Sequence, residues 1–184
     1  MNWELENKKV ILETVPFSVE ELQFKEGNGF GHSWTRLKCP DWVNILPVTP
    51  CGKALLIRQM RVGSLSYCLE TPGGCLERDE VNDPTLAAAR ELEEETGYRS
   101  RSLLGLGSVN PNPAINSNKI HFFLARDCVQ AEDRKNFPDQ SEEIELVPTD
   151  CRDLDRMVRT GEIGHGLAAH CILLAGKYLD IGAT

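Results

Sequence analysis

Short apolar runs, separated by glycine, proline and asparagine, recur along the chain. Apolar and β-branched runs of about four to eight residues, bounded by such turn residues, are typical of β-strands. Residues 8–24 hold two β-prone runs, and a glycine-rich turn follows at residues 25–32. The other strand candidates are residues 41–49, 53–62, 66–74, 102–109, 118–127 and 142–149.

Three segments have helical spacing instead. The first has Asp83 as a candidate N-cap, Pro84 in its first turn and Gly97 as its stop. Two more close the chain at residues 152–161 and 166–179. The last predicts a broad apolar face for packing on a sheet, made of Leu167, Cys171, Leu174 and Tyr178.

This order of elements predicts an α/β fold of mixed α+β type, in which helices sandwich a mixed β-sheet. Residues 1–40 are expected to form a small antiparallel β layer, and residues 41–184 the main domain. With 184 residues, 41% of them hydrophobic, the chain is long and apolar enough for a real core.

The net negative charge argues against nucleic acid as a binding partner. The net charge is -8 and the isoelectric point is about 5.1, whereas a duplex nucleic-acid binder normally has a basic surface. We therefore expect no nucleic-acid partner. An acidic protein that handles anionic phosphates needs cations between itself and the substrate.

The cysteines and the apolar runs bear on location. Seven cysteines are present, an odd number, and no two form a C-x-x-C pair, so neither a disulfide framework nor a zinc site is expected. No apolar run approaches the roughly 18 residues of a membrane span, and the first residues lack a signal-peptide pattern. These features predict reduced thiols, no membrane contact and a cytoplasmic location.

Four glutamates crowd the first predicted helix: Glu91, Glu93, Glu94 and Glu95. A solvated acidic face would interleave them with basic residues, but only Arg90 is near, and its spacing reaches Glu94. On this pattern Glu91 and Glu95 lack a local cation. They lie one turn apart, and the Gly-Gly turn upstream offers a carbonyl, so the pattern favours a Mg²⁺ site over a solvated face.

These residues resemble the Nudix box, G-x5-E-x7-R-E-U-x-E-E-x-G-U, where U is a bulky apolar residue. Gly74 and Glu80 match its first half, and the run from Arg90 to Tyr98 matches the second. Nine residues separate Glu80 from Arg90, where the pattern has seven, and this puts the role of Glu80 in doubt.

The resemblance implies a Mg²⁺-dependent hydrolase, with Mn²⁺ as an alternative ion, that cuts the diphosphate of a nucleoside diphosphate derivative. It makes Glu91 and Glu95 the main metal ligands, with Glu94 beside them and the Gly73 carbonyl as a further ligand. Glu94 and Glu95 then belong to the catalytic set, and Arg90 orients the glutamates through ion pairs.

Residues before the box are similar to those of ADP-ribose and nucleoside diphosphate sugar pyrophosphatases. The similarity lies in the run from Arg58 to Arg61, the turn that starts at Glu70, and the C-terminal helix. It implies that Arg58, Arg61 and Glu70 serve substrate binding, although an arginine at a strand end is also a common surface charge. Arginine suits a diphosphate because it can donate two parallel hydrogen bonds.

The asparagine-rich segment at residues 110–118 allows two interpretations. Its composition alone explains a turn between strands. However, the placement of Asn112 and Asn118 resembles that in a subgroup of the family that acts on nucleoside diphosphate sugars such as GDP-mannose-like compounds. Asparagine side chains can donate to and accept from sugar hydroxyls. The resemblance leaves ADP-ribose and ADP-sugars open as well.

A general base is expected on the acidic loop before the last strand, at Glu142 or Glu143, where an ordinary surface loop would look the same. In similar pyrophosphatases the N-terminal layer crosses to the partner of a homodimer and helps to build the nucleotide pocket, so the resemblance implies a homodimer here. Phe30 or Trp34 is then predicted to stack on the nucleotide base. These aromatics could instead cover the edge of their own sheet.

Two other functions stay open, a non-catalytic Nudix-fold nucleotide sensor and an acidic interaction module.

Overall fold

The computed structural model of the chain describes residues 3–27, 29, 31–138 and 143–179. The chain divides into two compact units. The first comprises the described part of Met1–Asp41 together with Val109–Ile120, and the second comprises Trp42–Ser108 with the described part of His121–Thr184.

The first unit is built on an antiparallel three-stranded sheet. Its strands are β1 (Trp3–Glu13), β2 (Ser18–Glu26) and β3 (Gly31–Lys38), paired in chain order. The asparagine-rich segment joins this unit through backbone bonds, since the Leu37 amide donates to the Ile115 carbonyl at 2.7 Å. The predicted boundary at residue 40 remains a prediction.

The second unit holds three sheets among its described residues. One has the order β11-β5-β6, one β4-β9-β8 and one β10-β7. The strands are β4 (Trp42–Pro47), β5 (Lys53–Arg61), β6 (Ser66–Glu70), β7 (Tyr98–Arg99), β8 (Ser102–Val109), β9 (Ile120–Arg126), β10 (Val129–Gln130) and β11 (Ile144–Asp150).

Its helices are α1 (Pro84–Thr96), α2 (Leu154–Thr160) and α3 (Gly166–Gly176), with a 3-10 turn at Cys151–Asp153. The predicted ends of α1 are confirmed. The Asp83 side chain accepts a hydrogen bond from the Thr85 amide at 3.0 Å, and Gly97 ends the helix with a φ of 74°. Glycine suits that left-handed position because it has no Cβ.

Strand β4 fixes the layering of the second unit. It is buried along nearly its whole length, as expected of a strand that is covered on both faces. Val43 and Ile45 lie in the core cluster with Leu92 of α1, and the Cys171 thiol of α3 lies 3.7 Å from the Asn44 carbonyl oxygen. Helices therefore cover both faces of this strand, as the predicted sandwich required.

The apolar face predicted for α3 was partly wrong. Cys171 is buried, but Tyr178 is exposed, and Ala168, Ile172 and Ala175 form the rest of the buried stripe. Leu167 and Leu174 of the predicted face are half-buried, and the prediction left out the small alanines of the stripe.

The seven cysteines all lie in described segments and are free thiols. Burial raises the pKa of the Cys171 thiol to about 12, which keeps it protonated. Within the described segments, no helix is both long enough and apolar enough to cross a bilayer.

Candidate active site

The Gly-Gly turn is held against β4 by backbone hydrogen bonds. The Ile45 amide donates to the Pro72 carbonyl at 2.9 Å, and the Val43 amide donates to the Gly74 carbonyl at 2.9 Å. The Gly73 carbonyl lies between these two, and no hydrogen bond among the described residues uses it. The turn is thus fixed in place while one backbone oxygen stays available.

Both glycines are closely packed, but against different kinds of neighbour. A Cβ on Gly73 would overlap the Val43 carbonyl oxygen, and a Cβ on Gly74 would lie 2.7 Å from the carboxylate carbon of Glu91. The first neighbour is rigid backbone and the second is the end of a side chain. Gly74 therefore lets the Glu91 carboxylate lie directly on the turn.

Glu95 reaches the same turn from the next turn of α1. Its Oε2 accepts a hydrogen bond from the Gly73 amide at 2.7 Å. Glu91 and Glu95 are each only 8% exposed. The structure thus brings together the two predicted metal ligands and the predicted backbone ligand.

Arg90 is the cation of this cluster. Its guanidinium donates to Glu80 at 2.9 and 3.0 Å, to Glu91 at 2.8 Å, to Glu94 at 2.9 Å and to the Cys75 carbonyl at 3.0 Å. Its hydrogen bond to Glu80 is the main reason that its pKa is raised above the ordinary value. Arg90 thus ties the helix to the loop upstream.

These contacts correct one prediction and answer a question. Glu91 does have a local cation, because Arg90 folds back on its neighbour as well as reaching Glu94. Glu80 is buried and paired with Arg90 despite the two extra residues before α1. The hydrogen bond from Arg90 is also the main reason that the pKa of Glu80 is lowered.

Glu93 is a buried residue of α1 to which no role was predicted. It accepts hydrogen bonds from Arg99 at 2.8 Å, from the Lys135 amide at 2.5 Å and from the Asn136 side chain at 3.0 Å. The bond from Arg99 is the largest cause that lowers the pKa of Glu93 to about 2. Arg134 adds a bond to the Glu94 carbonyl at 2.5 Å, so residues 134–136 fasten the last turn of α1.

The donor set around the turn suits a hard divalent cation. It consists of carboxylate oxygens and one carbonyl oxygen, the ligands that Mg²⁺ takes. Among the described residues, no group of three or more His, Cys, Asp or Glu side chains is already arranged around one metal position. Glu91 and Glu94 instead turn towards Arg90.

Arg61 and Glu70 form an ion pair at the ends of β5 and β6. The Arg61 Nε donates to Glu70 Oε1 at 2.8 Å, and Glu70 is completely buried. Burial alone would lower the pKa of Arg61, but the bond to Glu70 and the nearby charge of Glu95 raise it. Arg61 therefore lies within electrostatic reach of the metal-ligand candidates, while Glu70 serves as its buried support.

Arg58 and Glu143 line one surface groove, together with Tyr67, Ile144 and Glu145. Arg58 pairs with Glu145 at 2.9 Å, and the Tyr67 hydroxyl donates to Glu143 at 3.5 Å. Glu142, the other candidate base, lies outside the described residues.

The remaining substrate candidates belong to the first unit. Trp34 is 46% exposed, stacks on His32, and meets Trp3 and Phe24 edge-on. Asn112 is exposed, and its carbonyl accepts from Asn116 at 2.7 Å. Asn118 is 1% exposed, so its amide is turned away from solvent. Phe30 lies outside the described residues.

A family model described as the NUDIX domain matches residues 41–158, well over half of the chain. The chain belongs to the NUDIX family. The resemblance read from the box residues is therefore confirmed, and so is the α/β fold. Pyrophosphatases of this family generally use a divalent metal ion.

Relatives of this NUDIX chain carry pyrophosphatase names. It is 29% identical over 163 residues to an ADP-ribose pyrophosphatase of Bacillus subtilis, covering 89% of this chain and 83% of that protein. It is 30% identical over 118 residues to a GDP-mannose pyrophosphatase of Escherichia coli, covering 61% and 60%. A crystal structure of an ADP compounds hydrolase shares its fold, with a TM-score of 0.83, 22% identity and coverage of 98% and 95%.

The structure also shows what the NUDIX pattern leaves unspecified. Glu93 occupies one of the free positions of the box, so the pattern does not single it out. No spacing in the sequence marks Glu93, because its partners Arg99, Lys135 and Asn136 lie outside α1 and its burial is visible only in the structure.

Proposed function

We propose that this NUDIX chain is a Mg²⁺-dependent hydrolase of nucleoside diphosphate sugars, including ADP-ribose and GDP-mannose-like compounds. Water cleaves the diphosphate, and the products are a nucleoside monophosphate and a sugar phosphate. The observation that carries the proposal is the placement of the Glu91 and Glu95 carboxylates on the Gly73–Gly74 turn.

Glu91, Glu95 and the Gly73 carbonyl would hold the Mg²⁺, with Glu94 beside them. When bound, the ion neutralises diphosphate oxygens and lowers the pKa of a bound water. Arg90 orients the glutamates, because one guanidinium bonds to Glu91, Glu94 and the loop residue Glu80. The helix places the three carboxylates close to the turn, and binding of the ion would require Glu91 and Glu94 to turn from Arg90 towards it.

Arg61 is the residue proposed to bind the diphosphate. Its bond to Glu70 uses Nε, and no hydrogen bond among the described residues uses its two terminal nitrogens. Those nitrogens can donate in parallel to two phosphate oxygens. Arg58 is proposed to assist, and Glu143 or Glu142 to take the proton from the attacking water.

The substrate class follows from the names of the relatives and from the asparagine-rich segment. The two pyrophosphatases named above act on ADP-ribose and GDP-mannose. Asn112, which is exposed, is proposed to contact the sugar, and Trp34 or Phe30 the base. The buried Asn118 is proposed to support the asparagine-rich segment, where its carbonyl accepts from Asn110. A non-catalytic sensor is less well supported, because every box glutamate is present.

We also propose a homodimer, formed through the N-terminal layer. Trp3 and Trp34 are exposed there, and every residue of β1 is exposed. The expected location is the cytoplasm, in keeping with seven free thiols. Light scattering at working concentration tests the assembly, and a fully active monomer would contradict it.

The activity is tested with a panel of nucleoside diphosphate sugars and ADP-ribose in the presence of Mg²⁺. Products are identified by chromatography and ³¹P NMR. Nucleoside monophosphate plus sugar phosphate is the expected pair. Free nucleoside diphosphate plus free sugar would show that the glycosidic bond was cut, and no turnover of any compound would favour the sensor.

A further inference from the structure

His165 is an unusual residue for its position, the N-cap of α3. Helix N-caps are normally Ser, Thr, Asp or Asn, whose side-chain oxygen accepts a backbone N–H. Here the imidazole Nδ1 faces the Ala168 amide at 3.4 Å, a long contact for a hydrogen bond. Capping of α3 alone therefore does not explain why this residue is a histidine.

The same Nδ1 faces a second group. It lies 3.2 Å from Oε2 of Glu70, a carboxylate that is completely buried. No hydrogen bond with a described residue satisfies this Oε2, while the other oxygen, Oε1, accepts from Arg61 at 2.8 Å. One oxygen of the carboxylate is paired with Arg61, and the other has the His165 Nδ1 as a neighbouring nitrogen at 3.2 Å.

A single ring nitrogen cannot satisfy both neighbours. If Nδ1 carries the proton, it can donate to Glu70. If Nδ1 carries a lone pair, it can accept from the Ala168 amide, but that lone pair is then repelled by the buried Oε2 of Glu70. A hydrogen bond to a charged oxygen is the stronger of the two, and a buried carboxylate oxygen without a donor is costly.

We propose that His165 is a positioning residue for Arg61. Its imidazole carries a proton on Nδ1, donates it to Oε2 of Glu70, and thereby keeps Oε1 directed at Arg61. This inference rests on the proposed function, in which Arg61 binds the diphosphate of the substrate. The chain of contacts runs from the start of α3 through a buried carboxylate to the arginine.

The charges that face His165 agree with a neutral ring. Burial is the largest influence and lowers the pKa of His165, Glu70 on β6 opposes it, and Arg61 on β5 lowers it further. A neutral imidazole has one N–H, and the nitrogen that carries it is set by the neighbouring acceptor. Glu70 is the charged acceptor at Nδ1.

Two substitutions of equal size separate positioning from capping. Asn and Asp are both strong N-caps. In His165→Asn, the side-chain amide can still donate to Glu70, whereas His165→Asp brings a second carboxylate to it. We expect His165→Ala and His165→Asp to raise KM by about tenfold with kcat changed by less than about threefold, and His165→Asn to restore KM.

Thermal unfolding of the same variants is the control, since both caps should support α3. Equal KM values for the Asn and Asp variants would overturn the proposal, because a role in capping alone treats them alike.

The tautomer is measured without substrate, by ¹⁵N NMR of the imidazole in the full chain. The His165 signal is assigned as the one missing from His165→Asn. A proton on Nδ1 at neutral pH is expected, and a proton on Nε2 alone would overturn the proposal. Because this readout needs no turnover, a failure of the proposed activity stays distinguishable from a failure of the proposed contact.

Discussion

Helix α1 carries two kinds of carboxylate within five residues. Glu93 is surrounded by donors from Arg99, Lys135 and Asn136, and its pKa is lowered to about 2. Glu91 and Glu95 lie instead on the Gly-Gly turn, beside an available carbonyl oxygen. Three neighbouring groups outside α1 hold Glu93 in the fold, whereas Glu91 and Glu95 lie beside an available carbonyl oxygen, where we propose that a cation binds.

The largest expected effect is on the turn side. Glu95→Gln keeps the size of the side chain and an acceptor for the Gly73 amide, but removes the charge that a divalent cation needs. Turnover should fall by about two to three orders of magnitude. Thermal stability should hold or rise, because repulsion from Glu91 is relieved. Wild-type turnover in this variant, measured at saturating Mg²⁺, would remove the turn-side carboxylates from the site.

Replacing each glycine of the turn by alanine should separate an effect on stability from an effect on activity. Gly73→Ala meets the backbone of Val43, so it should lower the free energy of unfolding by about 1–3 kcal/mol or more. Gly74→Ala meets the end of the Glu91 side chain, which can move aside. We expect Gly74→Ala to lose activity by about tenfold or more with a smaller loss of stability.

Denaturant unfolding and kcat, measured on both alanine variants, check this order. If Gly74→Ala unfolds more easily than Gly73→Ala yet keeps full activity, the Glu91 carboxylate has no part in turnover.

Glu93→Gln is the matched change on the other side of the helix. It removes the charge from bonds to Arg99 and to residues 135–136, and should lower the free energy of unfolding by about 1–3 kcal/mol. The loss of kcat should be far smaller than in Glu95→Gln. A Glu93→Gln protein as stable as wild type would show that its bonds are not structural.

The stabilisation that Glu93 contributes should depend on pH. The pKa of Glu93 falls from about 4.5 to about 2 on folding, so its stabilisation is fully present above about pH 4.5. It is lost as the pH falls towards 2, where the folded state also takes up the proton. The stability difference between wild type and Glu93→Gln should therefore be constant near neutrality and shrink between about pH 4.5 and 2. Urea titrations across that range provide the measurement, and a difference that grows in acid would contradict the assignment.

Local rules were enough to predict α1 from the sequence. Asp83, Pro84 and Gly97 act through near neighbours in the chain, and the box residues have a fixed spacing. The contacts that escaped prediction join distant segments, such as Glu93 with Asn136 and Glu70 with His165. Arg90 was expected to reach Glu94, but its bond to Glu91 depends on how the guanidinium lies between loop and helix, which spacing does not encode.

The contrast between the two kinds of carboxylate is tested most directly by metal binding without substrate. Mn²⁺ is titrated into wild type, Glu95→Gln and Glu93→Gln, with free ion followed by electron paramagnetic resonance. Binding should weaken by about tenfold or more in Glu95→Gln and stay within about twofold of wild type in Glu93→Gln. Equal binding in all three, or a loss confined to Glu93→Gln, would contradict the assignment of the cation to the turn.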